Sequence, residues 1–216
     1  MQPLSGLLCF FFQLLYHPFA WAYDLVSWMV SLGRWKYWGE SVVPFVKGTR
    51  ILELGHGPGH LQRILCDLDL LAVGVDESRQ MGFLANRLLI RNGYTQINLI
   101  RGLGQNLPLR AGAFDTVVAT FPTEYIFEEQ TLSEIRRMLT NGGRLIVLPV
   151  AWITGKGSFD RLISWLFRFT GQAPSDPFDE VSLRIKEPFL KAGFDVIVQQ
   201  VEVKSSLLLI LIAEKN

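Results

Sequence analysis

The chain has 216 residues and a mass of 24.5 kDa, with Lys+Arg 21 against Asp+Glu 20 and a formal net charge of +1. Hydrophobic residues make up 49%, aromatics 12% and charged residues 19%, with mean hydropathy +0.24, so burial can offset ordering entropy and disorder is excluded as the dominant state. A near-zero charge with no basic run excludes electrostatic capture of nucleic acid, and two cysteines (Cys9 and Cys66) without metal-ligand spacing argue against a zinc site or disulfide framework and for a reduced intracellular chain.

Residues 1–23 contain no Asp, Glu, Lys or Arg. A membrane-spanning helix needs about 20 mostly apolar residues, but Gln13 interrupts this run and His17-Pro18 stops it. A secretory signal wants a positive start, and no basic residue precedes Arg34. A helix packed on the following domain is expected. The alternative is peripheral membrane contact by an interfacial helix carrying Phe10, Phe11, Phe12, Trp21 and Trp28. Leu25, Trp28, Met29 and Leu32 recur at helical spacing, with Gly33 as a C-cap. Pro44 and Lys47-Gly48 mark a linker, so 1–48 reads as an apolar helical cap and 49–216 as the main domain.

Thr49–Leu54 reads as a buried strand ending in glycines. Leu71–Val75 is a second strand, Ser78–Arg91 a helix capped by Ser78, Gln96–Arg101 a third strand and Phe114–Thr120 a fourth. Thr131–Leu139 is a helix ended by Asn141-Gly142-Gly143, and Arg144–Val150 is the fifth strand. Residues 151–179 form an oily, lid-like insertion, with Asp160, Arg161, Ser164 and Arg168 on one helical face. A helix over Glu180–Ala192 then leads into strands Asp195–Val203 and Ser206–Ala213. The alternation predicts an α/β fold: a seven-stranded sheet with helices on both faces. The last two strands have no room for a crossover helix and should pair antiparallel.

The text ILELGHGPGH sets Gly55, Gly57 and Gly59 between the first strand and a helix starting near His60. Glycines allow a tight turn and close backbone approach to a ligand, and the helix N-terminus favours negative groups. Asp76, at the end of the second strand, is placed to accept from both hydroxyls of a ribose. Glycine loop and strand-end acid together predict a nucleotide-type site. A dinucleotide fingerprint would need its third glycine at position 60, where His60 stands.

With Glu53 two residues before the first glycine, the loop resembles the E-x-G-x-G-x-G motif of class I S-adenosylmethionine-dependent methyltransferases. Asp76, Ser78 and Met81 are similar to that family's D-x-S-x-x-M, and Asn106–Leu109 followed by Phe114-Asp115 to its L-P-F…F-D segment. The resemblance implies a Rossmann-like sheet, S-adenosylmethionine as cofactor, and methyl transfer by direct displacement. It implies that Glu53 and the backbone of Gly55 and Gly57 hold the methionine part, and that Asp76 holds the ribose. Glu77 and Met81 would flank ribose and adenine, and Leu103 and Gly104 would meet the adenine edge. Gly59 and Thr120 complete the expected cofactor set. Leu103 stands where the family often has an aspartate, leaving Gln105 as a substitute.

For the acceptor, the stretch after the fourth strand, TFPTEY, lacks the [N/D]-P-P-[Y/F] signature of amino-group methylation on bases or glutamine. Glu124 and Tyr125 are candidates to touch the acceptor or, equally, to cap the next helix. The segment Tyr23, Asp24 and Ser31 to Trp38 resembles the leading helix of quinone C-methyltransferases. Together with the insertion it implies a small hydrophobic acceptor such as a quinone, isoprenoid or lipid. The rival readings are a non-catalytic S-adenosylmethionine-binding module and a nicotinamide-dependent oxidoreductase. No metal is expected, and the oligomeric state is open.

Overall fold

The computed structural model describes residues 35–153 and 185–216. The expected helix before Gly33, Gly33 itself, and the insertion beyond Ile153 lie outside the described residues. The first element, α1 (Trp35–Glu40), is followed by a 3-10 turn (Val43–Phe45) that contains Pro44. Trp38 of α1 and Val42 beyond it are buried against the sheet.

Seven strands follow: β1 (Arg50–Leu54), β2 (Leu71–Asp76), β3 (Leu99–Arg101), β4 (Phe114–Thr120), β5 (Leu139–Ile153), β6 (Phe194–Glu202) and β7 (Ser206–Lys215). Helices α2 (His60–Asp67), α3 (Arg79–Arg91) and α4 (Glu129–Met138) connect them, with a 3-10 turn over Glu124–Phe127. Residues 185–191 are helical before β6. The strand order is β3-β2-β1-β4-β5-β7-β6, with β7 antiparallel to both neighbours. This is the expected Rossmann-like arrangement with its antiparallel C-terminal pair.

Alternation along each strand divides the core between the two sheet faces. Ile51, Val118, Ile146 and Ile210 pack with Leu61 and Leu65 of α2 and with Trp38. Leu52, Val117, Leu145 and Leu211 pack with Leu132, Ile135 and Met138 of α4 and with Phe189. Because both faces are covered, β7 is apolar along most of its length and needs no membrane to explain it. Among the described residues no helix is long and apolar enough to cross a membrane.

Ser78 caps α3 as expected, its hydroxyl oxygen accepting from the Met81 N–H at 3.3 Å. Other boundaries differ. β3 is three residues long because only Leu99–Arg101 pair with β2. Asn141-Gly142-Gly143 lies inside β5: Leu139 already pairs with Phe114, and a register shift absorbs the glycines before Arg144 meets Thr116. At its other end β5 runs through Trp152 and Ile153, paired with Leu207 and Ser206 of β7, so residues 151–153 of the expected insertion are strand.

Candidate functional site

Parallel pairing brings the C-terminal ends of four strands to one edge. Leu54 lies opposite Val75, Asp76 opposite Arg101 and Glu53 opposite Val118. The chain leaves β1 and β4 toward opposite sides, creating the topological switch where open α/β sheets hold ligands. A cavity of about 240 Å³ opens there, lined by Gly55, Gly57, Asp76, Glu77, Leu103, Gly104, Thr120, Phe121 and Tyr125 among others.

The three loop glycines all have left-handed backbones, with φ +71° at Gly55, +52° at Gly57 and +88° at Gly59. Their surroundings separate their roles. A Cβ on Gly57 would meet nothing within 4 Å, whereas one on Gly55 would lie 3.0 Å from the Tyr125 hydroxyl. A Cβ on Gly59 would run into α3, 2.8 Å from the Ala85 Cβ. Gly59 is buried and does not line the cavity. Its place is therefore in the α2–α3 packing, not in the cavity wall as expected.

Asp76 joins the glycine loop to the next helix. Its Oδ2 accepts from the Gly57 N–H at 2.9 Å and its Oδ1 from the Ser78 N–H at 2.8 Å. A carboxylate has about four lone-pair sites, so acceptor capacity remains toward the cavity. His56 supports the loop from within. It is buried, and its Nδ1 lies 2.7 Å from the Gly57 carbonyl oxygen. A carbonyl only accepts, so Nδ1 carries the proton. Burial pulls the His56 pKa below its ordinary value, although Asp76 and the Gly57 hydrogen bond pull the other way.

Glu53 lies beneath the loop, 1% exposed, its Oε2 accepting from Gln62 Nε2 at 2.7 Å. Burial pushes its pKa up to about 8; the Gln62 bond opposes the rise and the Asp76 charge adds to it. Glu53 thus lines a smaller neighbouring pocket, with Gly39, His60 and Thr120, and not the main cavity. Met81 is fully buried in the core and likewise not on the cavity wall, because its helix face turns inward. Glu77, Leu103, Gly104 and Thr120 do line the cavity.

Leu103 is 52% exposed at the rim. Gln105 also lines the cavity, but its Nε2 donates to Glu128 Oε2 at 2.7 Å. Of the two acceptor candidates, only Tyr125 lines the cavity; Glu124 is exposed at the start of the 3-10 turn, which directs it to solvent. The Tyr125 ring lies against Gly104, where a Cβ would come within 3.2 Å of ring Cδ2. Gly55 and Gly104 together leave room for this ring. Ser78, read from the sequence as a helix cap, lines the cavity too, as do Phe121, Pro122 and Thr123, which were not named as site residues. The signal available for Phe121 was an aromatic residue followed by proline at a strand end. Asp76 and Glu77 are the only charged lining residues among those described. No group of three His, Cys, Asp or Glu among the described residues is placed to hold a metal ion.

A family model for a methyltransferase domain matches residues 52–147. A demethylmenaquinone methyltransferase of Symbiobacterium thermophilum is 29% identical, the match covering 83% of each chain. One from Thermobifida fusca is 27% identical over 66% of this chain and 62% of that protein. A ubiquinone/menaquinone biosynthesis C-methyltransferase of Erwinia tasmaniensis is 26% identical over 62% of this chain and 56% of that one. For the last two relatives, the match thus spans less than two thirds of their length. Among solved structures, a putative S-adenosyl-L-methionine-dependent methyltransferase of Methanococcus maripaludis superposes with TM-score 0.62 at 17% identity, covering 89% of this chain and 90% of that one. Magnesium protoporphyrin IX methyltransferase of Synechocystis, with bound SAH, superposes with TM-score 0.57 at 19% identity over 84% of this chain and 83% of that one. At such identities the structural likeness is one of fold.

Proposed function

The chain belongs to the class I S-adenosylmethionine-dependent methyltransferases, and from that premise we propose that it transfers the cofactor's methyl group to a small, apolar, quinone-like acceptor. The observation that carries the reading is the cavity at the β1/β4 switch, whose lining holds Asp76, tied to the glycine loop, together with Phe121 and Tyr125.

The residues fit the cofactor in three respects. The open space beside Gly57 admits a ligand close to the backbone. Asp76 retains lone pairs for two ribose hydroxyls while its other contacts hold it in place. Among the described residues the only charges in the lining are carboxylates, which suits a sulfonium and an ammonium group.

When bound, S-adenosylmethionine supplies an electrophilic methyl group on a sulfonium. The protein's task is then alignment and exclusion of water, and correct orientation of two reactants can lower the barrier by about 7–11 kcal/mol. Glu53 and Gln62 support the loop on which the methionine part would rest. Phe121, Pro122 and Tyr125 give the acceptor an apolar wall with one hydroxyl. A ring carbon that gains a methyl must lose a proton; in this reading that proton leaves to water, and Tyr125, which lines the cavity, is the residue assigned to hydrogen-bond an acceptor oxygen. The names of the relatives support a quinone-type acceptor.

Titration calorimetry with S-adenosylmethionine tests the cofactor, and Asp76→Ala should weaken binding by at least tenfold, as expected for a lost hydrogen-bonding carboxylate. Failure of the folded wild-type protein to bind would refute the reading. Incubation with methyl-labelled cofactor and a total lipid extract tests the acceptor: label is expected in a quinone fraction, and label only in water-soluble products would overturn that part.

A further inference from the structure

Three non-glycine residues among those described have left-handed backbones: Asp69, Phe121 and Lys204. Asp69 and Lys204 are polar residues in turns, a common setting for this conformation. Phe121 is different. It is bulky and apolar, its φ is +50°, and it precedes Pro122, which restricts its backbone further. Such outliers persist only where their surroundings hold them, and they cluster at functional sites.

A backbone hydrogen bond and a ring contact are among the interactions that hold Phe121. Its N–H donates to the Leu148 carbonyl at 2.7 Å, carrying the β4–β5 pairing one residue beyond Thr120. Its ring packs on Trp38 of α1, with centroids 5.8 Å apart and planes inclined at 48°. Trp38 is itself buried between α1 and the sheet. Trp38 thereby fixes the ring, and Phe121 lines the cavity together with Tyr125. An asparagine or glycine would take this backbone with less strain, so the aromatic side chain, and not the turn, is what the site retains.

Resting on the methyltransferase reading above, we propose that Phe121 determines acceptor specificity. Its ring is the wall on which the plane of a conjugated acceptor ring stacks, and Trp38 keeps that wall at a fixed inclination. The site therefore selects planar rings over flexible apolar chains of similar size.

Binding of two inert probes tests this without turnover. 2-Naphthol is planar, and farnesol is a flexible isoprenoid alcohol; each is titrated into the full chain in the presence of S-adenosylhomocysteine. Phe121→Leu keeps apolar bulk and removes the ring. It should weaken 2-naphthol by about tenfold, the scale of losing one aromatic pair, and change farnesol and S-adenosylhomocysteine affinity by less than threefold. Phe121→Tyr should restore 2-naphthol binding to within threefold of wild type. Phe121→Asn, which suits the left-handed backbone, should melt no lower than Phe121→Leu yet lose 2-naphthol equally. The proposal is overturned if Phe121→Leu binds both probes like wild type, if it loses both equally, or if the wild-type protein does not bind 2-naphthol. Retained naphthol selectivity with no S-adenosylhomocysteine or S-adenosylmethionine binding would instead refute the methyltransferase reading and leave the stacking wall standing.

Discussion

Gly59 and Gly57 stand two residues apart in one motif, yet substitution by alanine should damage different properties. At Gly59 the backbone has φ +88°, and a new Cβ would lie 2.8 Å from the Ala85 Cβ and 2.9 Å from its Cα. The left-handed conformation costs a non-glycine residue about 1–2 kcal/mol. Pushing α3 away adds about 1–3 kcal/mol, the usual range for overpacking, because a helix backbone cannot step aside as a flexible side chain can. Gly59→Ala should therefore lose about 2–5 kcal/mol of stability. For a chain of this size each kcal/mol lowers the melting temperature by roughly 2–4 °C. At Gly57, with φ +52° and no atom within 4 Å of the new Cβ, only the backbone penalty of about 1–2 kcal/mol applies. Its main loss should be in S-adenosylmethionine affinity, since the added methyl enters the space beside the cavity. Urea denaturation and calorimetry on both variants measure the two effects separately. A packing role for Gly59 is refuted if Gly59→Ala is no less stable than Gly57→Ala, or if Gly59→Ala loses cofactor affinity while keeping wild-type stability.

Glu53 carries a pH signature. Because burial raises its pKa from 4.5 to about 8, the folded state keeps a proton that the unfolded chain releases between those values. Its contribution to stability is full below pH 4.5 and falls as pH rises toward 8. Glu53→Gln preserves an acceptor for Gln62 and removes the titration, so the variant should gain on wild type in urea midpoint between pH 5 and pH 8; parallel curves would contradict the assignment. Asp115 has the opposite sign. The Arg50 guanidinium, helped by the Arg50 and Thr49 N–H groups, holds its carboxyl below the ordinary range. Asp115→Ala should cost about 1 kcal/mol at neutral pH, a value kept small by solvent screening, and the gap should close as pH falls through the folded-state pKa of Asp115. A constant gap down to low pH would show that charge is not its source. Leu103→Asp, at the cavity rim, should raise S-adenosylmethionine affinity about three- to tenfold by offering the adenine amino group an acceptor; unchanged affinity in calorimetry would place the adenine edge elsewhere.

By itself the sequence determined the alternating α/β plan, the antiparallel C-terminal pair, and the glycine loop facing Asp76. These follow from period, strand length and residue spacing, which act over a few neighbouring residues. Tertiary structure decided which glycine serves the cavity and which serves packing, since Gly59 is defined by Ala85 on another helix. It also decided that Glu53 is buried against Gln62 while Glu124 faces solvent, because burial depends on what folds over a residue. Above all it decided Phe121. Its strained backbone is set by Leu148 on β5 and Trp38 on α1, partners distant in the chain that meet only once the sheet has formed.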